Sequence, residues 1–127
     1  MTHFPKQRRI LLTGSLLAAL GVALGAFGAH GLRDTLDPAA LGWWQTAVQW
    51  HMWHAVALVA LAAAPWPRLG RAAALLAIGT LVFSGSLYLM ALTGARWLGM
   101  VTPLGGVLMV AGWTSVAWSA WRGQPRS

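Results

Sequence analysis

Residues 10–29 read ILLTGSLLAALGVALGAFGA, twenty positions without a charge. A bilayer core about 30 Å thick is crossed by about 20 predominantly apolar residues in helix. Lys6, Arg8 and Arg9 stand just before the run, and a basic flank marks the side of a membrane that stays cytoplasmic. The stretch reads as a transmembrane helix. A cleaved signal peptide is the rival reading, because the run follows a basic start and ends in Ala26-Phe27-Gly28-Ala29. A signal's apolar region spans about 7–15 residues, and this one is longer.

Working outward, three more segments fit a span, at about 47–64, 72–93 and 98–121. Pro65 and Pro67 around Trp66 mark one turn, and Gly94-Ala95-Arg96 closes the third span. Between the first two spans lie Asp34 and Asp37, the only acids in the chain. Asp37-Pro38 predicts an N-cap followed by proline in the first helical turn. The second helix is therefore expected to start near Pro38 and run through the headgroup region before entering the core. The expected fold is an all-α membrane protein, a four-transmembrane-helix bundle of up-down topology, forming a single domain over 1–127.

Composition agrees. Of 127 residues, 57% are apolar and 9% charged, against roughly 25% charged in soluble domains. The net charge of +7 does not indicate nucleic acid, because the basic residues form no face and instead flank the apolar runs. Lys6, Arg8, Arg9, Arg68, Arg71, Arg122 and Arg126 fall on one side of the expected topology, Arg33 and Arg96 on the other. Both termini are thus expected in the cytoplasm, with the lipid bilayer as the partner these flanks engage. Nine tryptophans are present. Trp43, Trp44, Trp66, Trp97 and Trp121 sit near span ends, which suits an interfacial belt better than a stacking site. The chain has no cysteine, which excludes disulfides and thiolate chemistry.

Small residues share helix faces. Gly14, Ala18, Gly21, Gly25 and Gly28 recur at three- and four-residue steps, with Gly21 and Gly25 forming a GxxxG. Thr102, Gly105, Gly106, Met109, Gly112 and Trp113 form a comparable seam in the fourth span. Such faces let backbones approach closely, within one bundle or across a homo-oligomer or larger membrane complex. Thr80, Ser84 and Tyr88 make a polar stripe on the third span, and Ser86 points elsewhere. No acid–base partner accompanies these hydroxyls, so no catalytic residue is assigned.

The histidines carry the functional reading. His30 ends the first span, and His51 and His54 stand one turn apart in the second. His3 lies in the basic tail and carries no role. Threading the chain through the membrane places His30, His51, His54, Ser84, Tyr88 and Thr102 in the extracytoplasmic half. His51 and His54 are expected about 5–15 Å inside that end of the second span. Ionisable groups inside a bilayer are candidates for function. Three explanations compete. The histidines are structural, bonded to the hydroxyls or to Gln45 or Gln49; or the six residues line a pocket for a lipid-like or quinone-like ligand, or for protons; or histidine binds haem. A closed zinc site lacks a fourth ligand, so no metal is assigned, while haem needs only one or two histidines.

Four ordered strings complete the reading: LGAFGAHGL at 24–32, WHMWHA at 50–55, FSGSLY at 83–88 and TPLGG at 102–106. Together they resemble the YgdD-like small inner-membrane proteins, a family of unknown function whose eukaryotic relatives are called transmembrane protein 256. The resemblance runs from about 16 to 121, with Trp50 where tyrosine is expected. It implies four transmembrane helices and the bacterial inner membrane, and no established activity. The functional expectation is a non-enzymatic accessory or small-ligand-binding protein. A transporter or proton-linked carrier subunit and a haem or other redox protein are the alternatives.

Overall fold

In the computed structural model, residues 5–66 and 69–123 are described. His3, Pro67, Arg68 and Arg126, on which parts of the turn and charge readings rest, lie outside the described residues. Four long helices account for most of the chain: α1 (Pro5–His30), α2 (Pro38–Ala63), α3 (Leu69–Thr93) and α4 (Thr102–Arg122), with a 3-10 turn at Arg96–Met100 before the last. Among the described residues there is no strand.

The helix limits follow from local chemistry. Asp37 is extended and its carboxylate accepts from the Ala40 amide at 2.8 Å, with Pro38 in the first turn of α2. That satisfies an amide which a helix start leaves without a partner. α2 stops where Ala64 turns extended ahead of Pro65, as the residue before a proline tends to do. Gly94 adopts φ +74 and its amide reaches the Met90 carbonyl at 2.8 Å, closing α3 with a left-handed cap. The fourth span starts its α-helix at Thr102, later than expected, because the 3-10 turn occupies Arg96–Met100.

The helices pack in chain order. α1 lies on α2, α2 on α3 and α3 on α4; α1 also touches α3. Among the described residues, α4 makes no close backbone approach to α1 or α2. The expected bundle is therefore open, with α3 the most enclosed helix. Glycine explains why neighbours fit so tightly. A Cβ at Gly14 would meet the Val59 amide, at Gly21 the Met52 side chain, at Gly25 Val48 and at Gly28 the Trp44 indole. The paired numbers run in opposite directions, so α1 and α2 are antiparallel along most of their length. On the other side, Gly105 abuts Gly79 and Phe83, and Gly112 abuts Leu76. The contacts at 14, 21 and 28, and at 105 and 112, repeat every seven residues, the period of a left-handed seam.

Away from these seams the surface is apolar. Leu16, Val22, Val56, Leu81, Leu104, Val107 and Val110 are all more than half exposed. So continuous an apolar exterior marks a membrane or an interaction surface. Three segments are long and apolar enough to cross a membrane: α1, α3 and Arg96–Arg122. α2 matches α1 in length, but its Trp, Gln and His residues lower its hydropathy.

Candidate functional site

Each neighbouring pair of helices is joined by buried hydrogen bonds, and His51 makes the most connected set. Its ring, 3% exposed, reaches α1 and α3 at once. Nε2 lies 2.7 Å from the Leu17 carbonyl and Nδ1 2.8 Å from the Tyr88 hydroxyl. A carbonyl only accepts, so Nε2 bears the proton, and in the neutral ring Tyr88 donates to Nδ1. Gly21 makes the approach feasible: a Cβ there would stand 3.4 Å from the His51 ring and run into Met52.

His54 takes the opposite tautomer. Its Nδ1 donates to the Trp50 carbonyl at 2.8 Å, while Nε2 accepts the Trp113 indole N–H at 3.0 Å. An indole only donates, which fixes the assignment and ties α2 to α4. The ring also stacks on Trp50, 5.9 Å between centroids and 13° between planes. In both rings each nitrogen is engaged, and neither has a lone pair free for iron. Haem or another metal does not fit these two side chains as they are held. Among the described residues no three of His, Cys, Asp and Glu gather closely enough to hold an ion.

The remaining polar groups form separate clasps. Ser84 donates to the Ala47 carbonyl at 2.8 Å, and the Trp44 indole to the Leu24 carbonyl at 2.9 Å. Ser86 and Thr102 lie 2.6 Å apart. Each also reaches a carbonyl, Ser86 that of Phe83 at 2.9 Å and Thr102 that of Leu98 at 3.3 Å, so either hydroxyl can donate to the other. Thr80 bonds only to its own helix, at the Leu76 carbonyl. No buried side-chain nitrogen or oxygen lacks a partner among the described residues.

The six residues grouped from the sequence are thus distributed rather than convergent. His51 and Tyr88 meet directly. Ser84 bonds to α2 backbone, His54 joins α4, and Thr102 pairs with Ser86. His30 is exposed at the end of α1 and takes part in none of these bonds. Gln45 and Gln49 do not bond the histidines. Ser86 points away from the Thr80–Ser84–Tyr88 stripe, as expected, but that direction is α4. Two tryptophans make bonds between helices. Trp44 is 3% exposed and bonded across to α1. The helix start at Pro38 carried the signal, since it puts residue 44 nearly two turns inside α2. Trp113, read as packing, donates to His54.

One concavity adjoins these clasps. A groove of about 450 Å³ runs between α2, α3 and α4, lined by Trp50, His54, Phe83, Gly106, Val110 and Trp113 among others. It opens sideways on the apolar exterior. The two adjacent glycines of α4 part company here. Gly105 is in the helix seam, whereas a Cβ on Gly106 would meet nothing nearer than the Phe83 ring at 4.0 Å.

Comparison with known proteins identifies the family. Residues 24–106 match the family model described as protein of unknown function (DUF423). The chain is 40% identical over 111 residues to the UPF0382 inner membrane protein YgdD of Escherichia coli (strain K12), covering 84% of this chain and 85% of that one. It is 41% identical over 115 residues to the UPF0382 membrane protein YwdK of Bacillus subtilis (strain 168), covering 87% and 94%. No solved structure matches. A helical fold with apolar flanks, a family model spanning most of the chain and relatives named as membrane proteins lead to one assignment: this chain belongs to the DUF423 family of YgdD-like membrane proteins, whose function is unknown.

Proposed function

We propose that this is a non-enzymatic inner-membrane protein that crosses the bilayer four times and binds a lipid-like or quinone-like molecule in the groove between α2, α3 and α4. Support for the fourth crossing comes from pairing. α2 lies antiparallel along α1, from the Gly14–Val59 contact to Gly28–Trp44, so a bilayer that contains one contains the other. Of the polar side chains that lower its hydropathy, His51 and His54 are buried, while Gln45 and Gln49 are exposed in its first half. With four crossings, the excess of Lys and Arg on the terminal side puts both ends in the cytoplasm.

The groove carries the ligand reading. Its lining includes the rings of Trp50, Phe83 and Trp113, and the polar atoms of His54 and Trp113 are already bonded to one another and to the Trp50 carbonyl. A groove so apolar suits the ring or tail of a lipid-like or quinone-like molecule rather than its polar groups. A proton carrier is disfavoured, because Leu58 and Leu76 close the interior beyond the histidines with no exposed surface. The test is Gly106→Leu, which puts a side chain into the groove and leaves the helix seam alone. Native mass spectrometry of protein purified in mild detergent should show a small apolar ligand on the unaltered protein and at least tenfold less, on the order of 1.4 kcal/mol, on the variant. The same bound molecules at the same level on both would dismiss the groove.

A further inference from the structure

At the end where α1 and α3 begin and α4 finishes, positive charge gathers with no acidic side chain beside it among the described residues. Lys6 and Arg71 line two adjoining grooves. One, about 380 Å³, runs between α1 and α3, with Arg9 at its mouth and Ile10, Ala74 and Ala77 along its walls. The other, about 480 Å³, adds Ser115, Trp118 and Ser119 of α4. The Lys6 stem lies across bare backbone: a Cβ on Gly70 would stand 2.9 Å from its Cδ and 3.3 Å from its Nζ. The ammonium is thereby held against the first turn of α3, where free amides carry partial positive charge and no acid is present. Asp34 and Asp37 are both in the α1–α2 connection, at the opposite end. Cations converging on a helix start with no acidic side chain among the described residues repel one another, and an anion relieves the repulsion.

We propose that this end is a binding site for an anionic phospholipid. Lys6, Arg9 and Arg71 engage the phosphate, Ser115 and Ser119 offer hydroxyls to the headgroup, and an acyl chain lies along the α1–α3 groove. The shape selects a lipid over free phosphate. From Lys6 to Thr13, and from Gly70 to Ala77, the groove continues for about 10 Å into the apolar region, a length that inorganic phosphate leaves unfilled. The site shares the membrane-embedded reading given above, but none of its lining residues belongs to the His54 groove.

The experiment is a titration of the full-length protein in detergent with phosphatidylglycerol, followed by native mass spectrometry. Arg8 is exposed on the same helix turn and lines neither groove, so Arg8→Gln removes an equal charge from the same end. Arg71→Gln and Lys6→Gln, on different helices, should each lower retained lipid about fivefold, the effect of one basic residue at a lipid surface. Arg8→Gln should lower it less than about twofold, since it makes no direct contact. Ala74→Phe, at an exposed position on the apolar wall, should also displace the lipid. Equal losses from Arg8→Gln and Arg71→Gln would reduce the effect to diffuse surface attraction and overturn the proposal. So would equal retention of phosphatidylcholine, or full displacement by glycerol phosphate, which would mark a soluble phosphate site instead.

Discussion

Gly105 and Gly106 are neighbours on one helix, and replacing each with alanine should have opposite effects. A Cβ at Gly105 would stand 2.7 Å from the Gly79 carbonyl oxygen and 2.7 Å from the Phe83 Cα, and would also strike the Phe83 amide. Relaxed carbon contacts lie at about 3.5–4.0 Å, so the overlap is on the order of 1 Å. The obstructing atoms are backbone, and no rotamer change removes them; α3 and α4 must separate. Overpacking costs about 1–3 kcal/mol, and a clash with backbone belongs at the upper end. Alanine's helix propensity returns at most about 1 kcal/mol, leaving a net loss of about 2 kcal/mol. At Gly106 the nearest atom is 4.0 Å away, so only the propensity gain remains, from zero to about 1 kcal/mol. Reversible unfolding in mixed micelles, by titration with SDS and read by circular dichroism, measures both. A Gly106→Ala loss equal to that of Gly105→Ala, or no loss at Gly105, would refute the division between seam and groove.

Tyr88→Phe should cost about 1–2 kcal/mol, because the buried Nδ1 of His51 loses its only donor; the same unfolding assay applied to Tyr88→Phe, His51→Phe and the double variant should give a coupling above about 0.5 kcal/mol, and strict additivity would show the two groups do not interact. Topology is directly accessible because the chain has no cysteine. A single cysteine at Thr35 should react with an impermeant maleimide on whole cells, whereas one at Ser127 should react only after lysis; the reverse pattern would invert the orientation.

The parts legible in the sequence were those governed by local rules. Charge-free runs, the Asp37-Pro38 cap and the Gly94 stop each act within a few residues, and the helices begin and end close to where those signals fall. The glycine face of α1 was legible for the same reason, since helical periodicity is local. What it faces was not. Gly79 is the counterpart of Gly105, and nothing in the sequence around 79 names α4 as its neighbour. The histidines illustrate the same boundary. Depth alone placed His30 with His51 and His54, but hydrogen bonding also requires direction, and only His51 and His54 point inward. The spacing of Ser86 takes it off the Ser84–Tyr88 face, but its Thr102 partner depends on which helix lies there.

Several of the clasps end on main-chain oxygen: Leu17 receives His51, Leu24 receives Trp44, and Ala47 receives Ser84. Every amino acid supplies that acceptor. Half of each such fastening is therefore indifferent to mutation, and the donor residue alone dictates how far one rod may slide along the next. Sequence drift at 17, 24 and 47 is limited by volume, while the alignment of the rods is inherited through His51, Trp44 and Ser84.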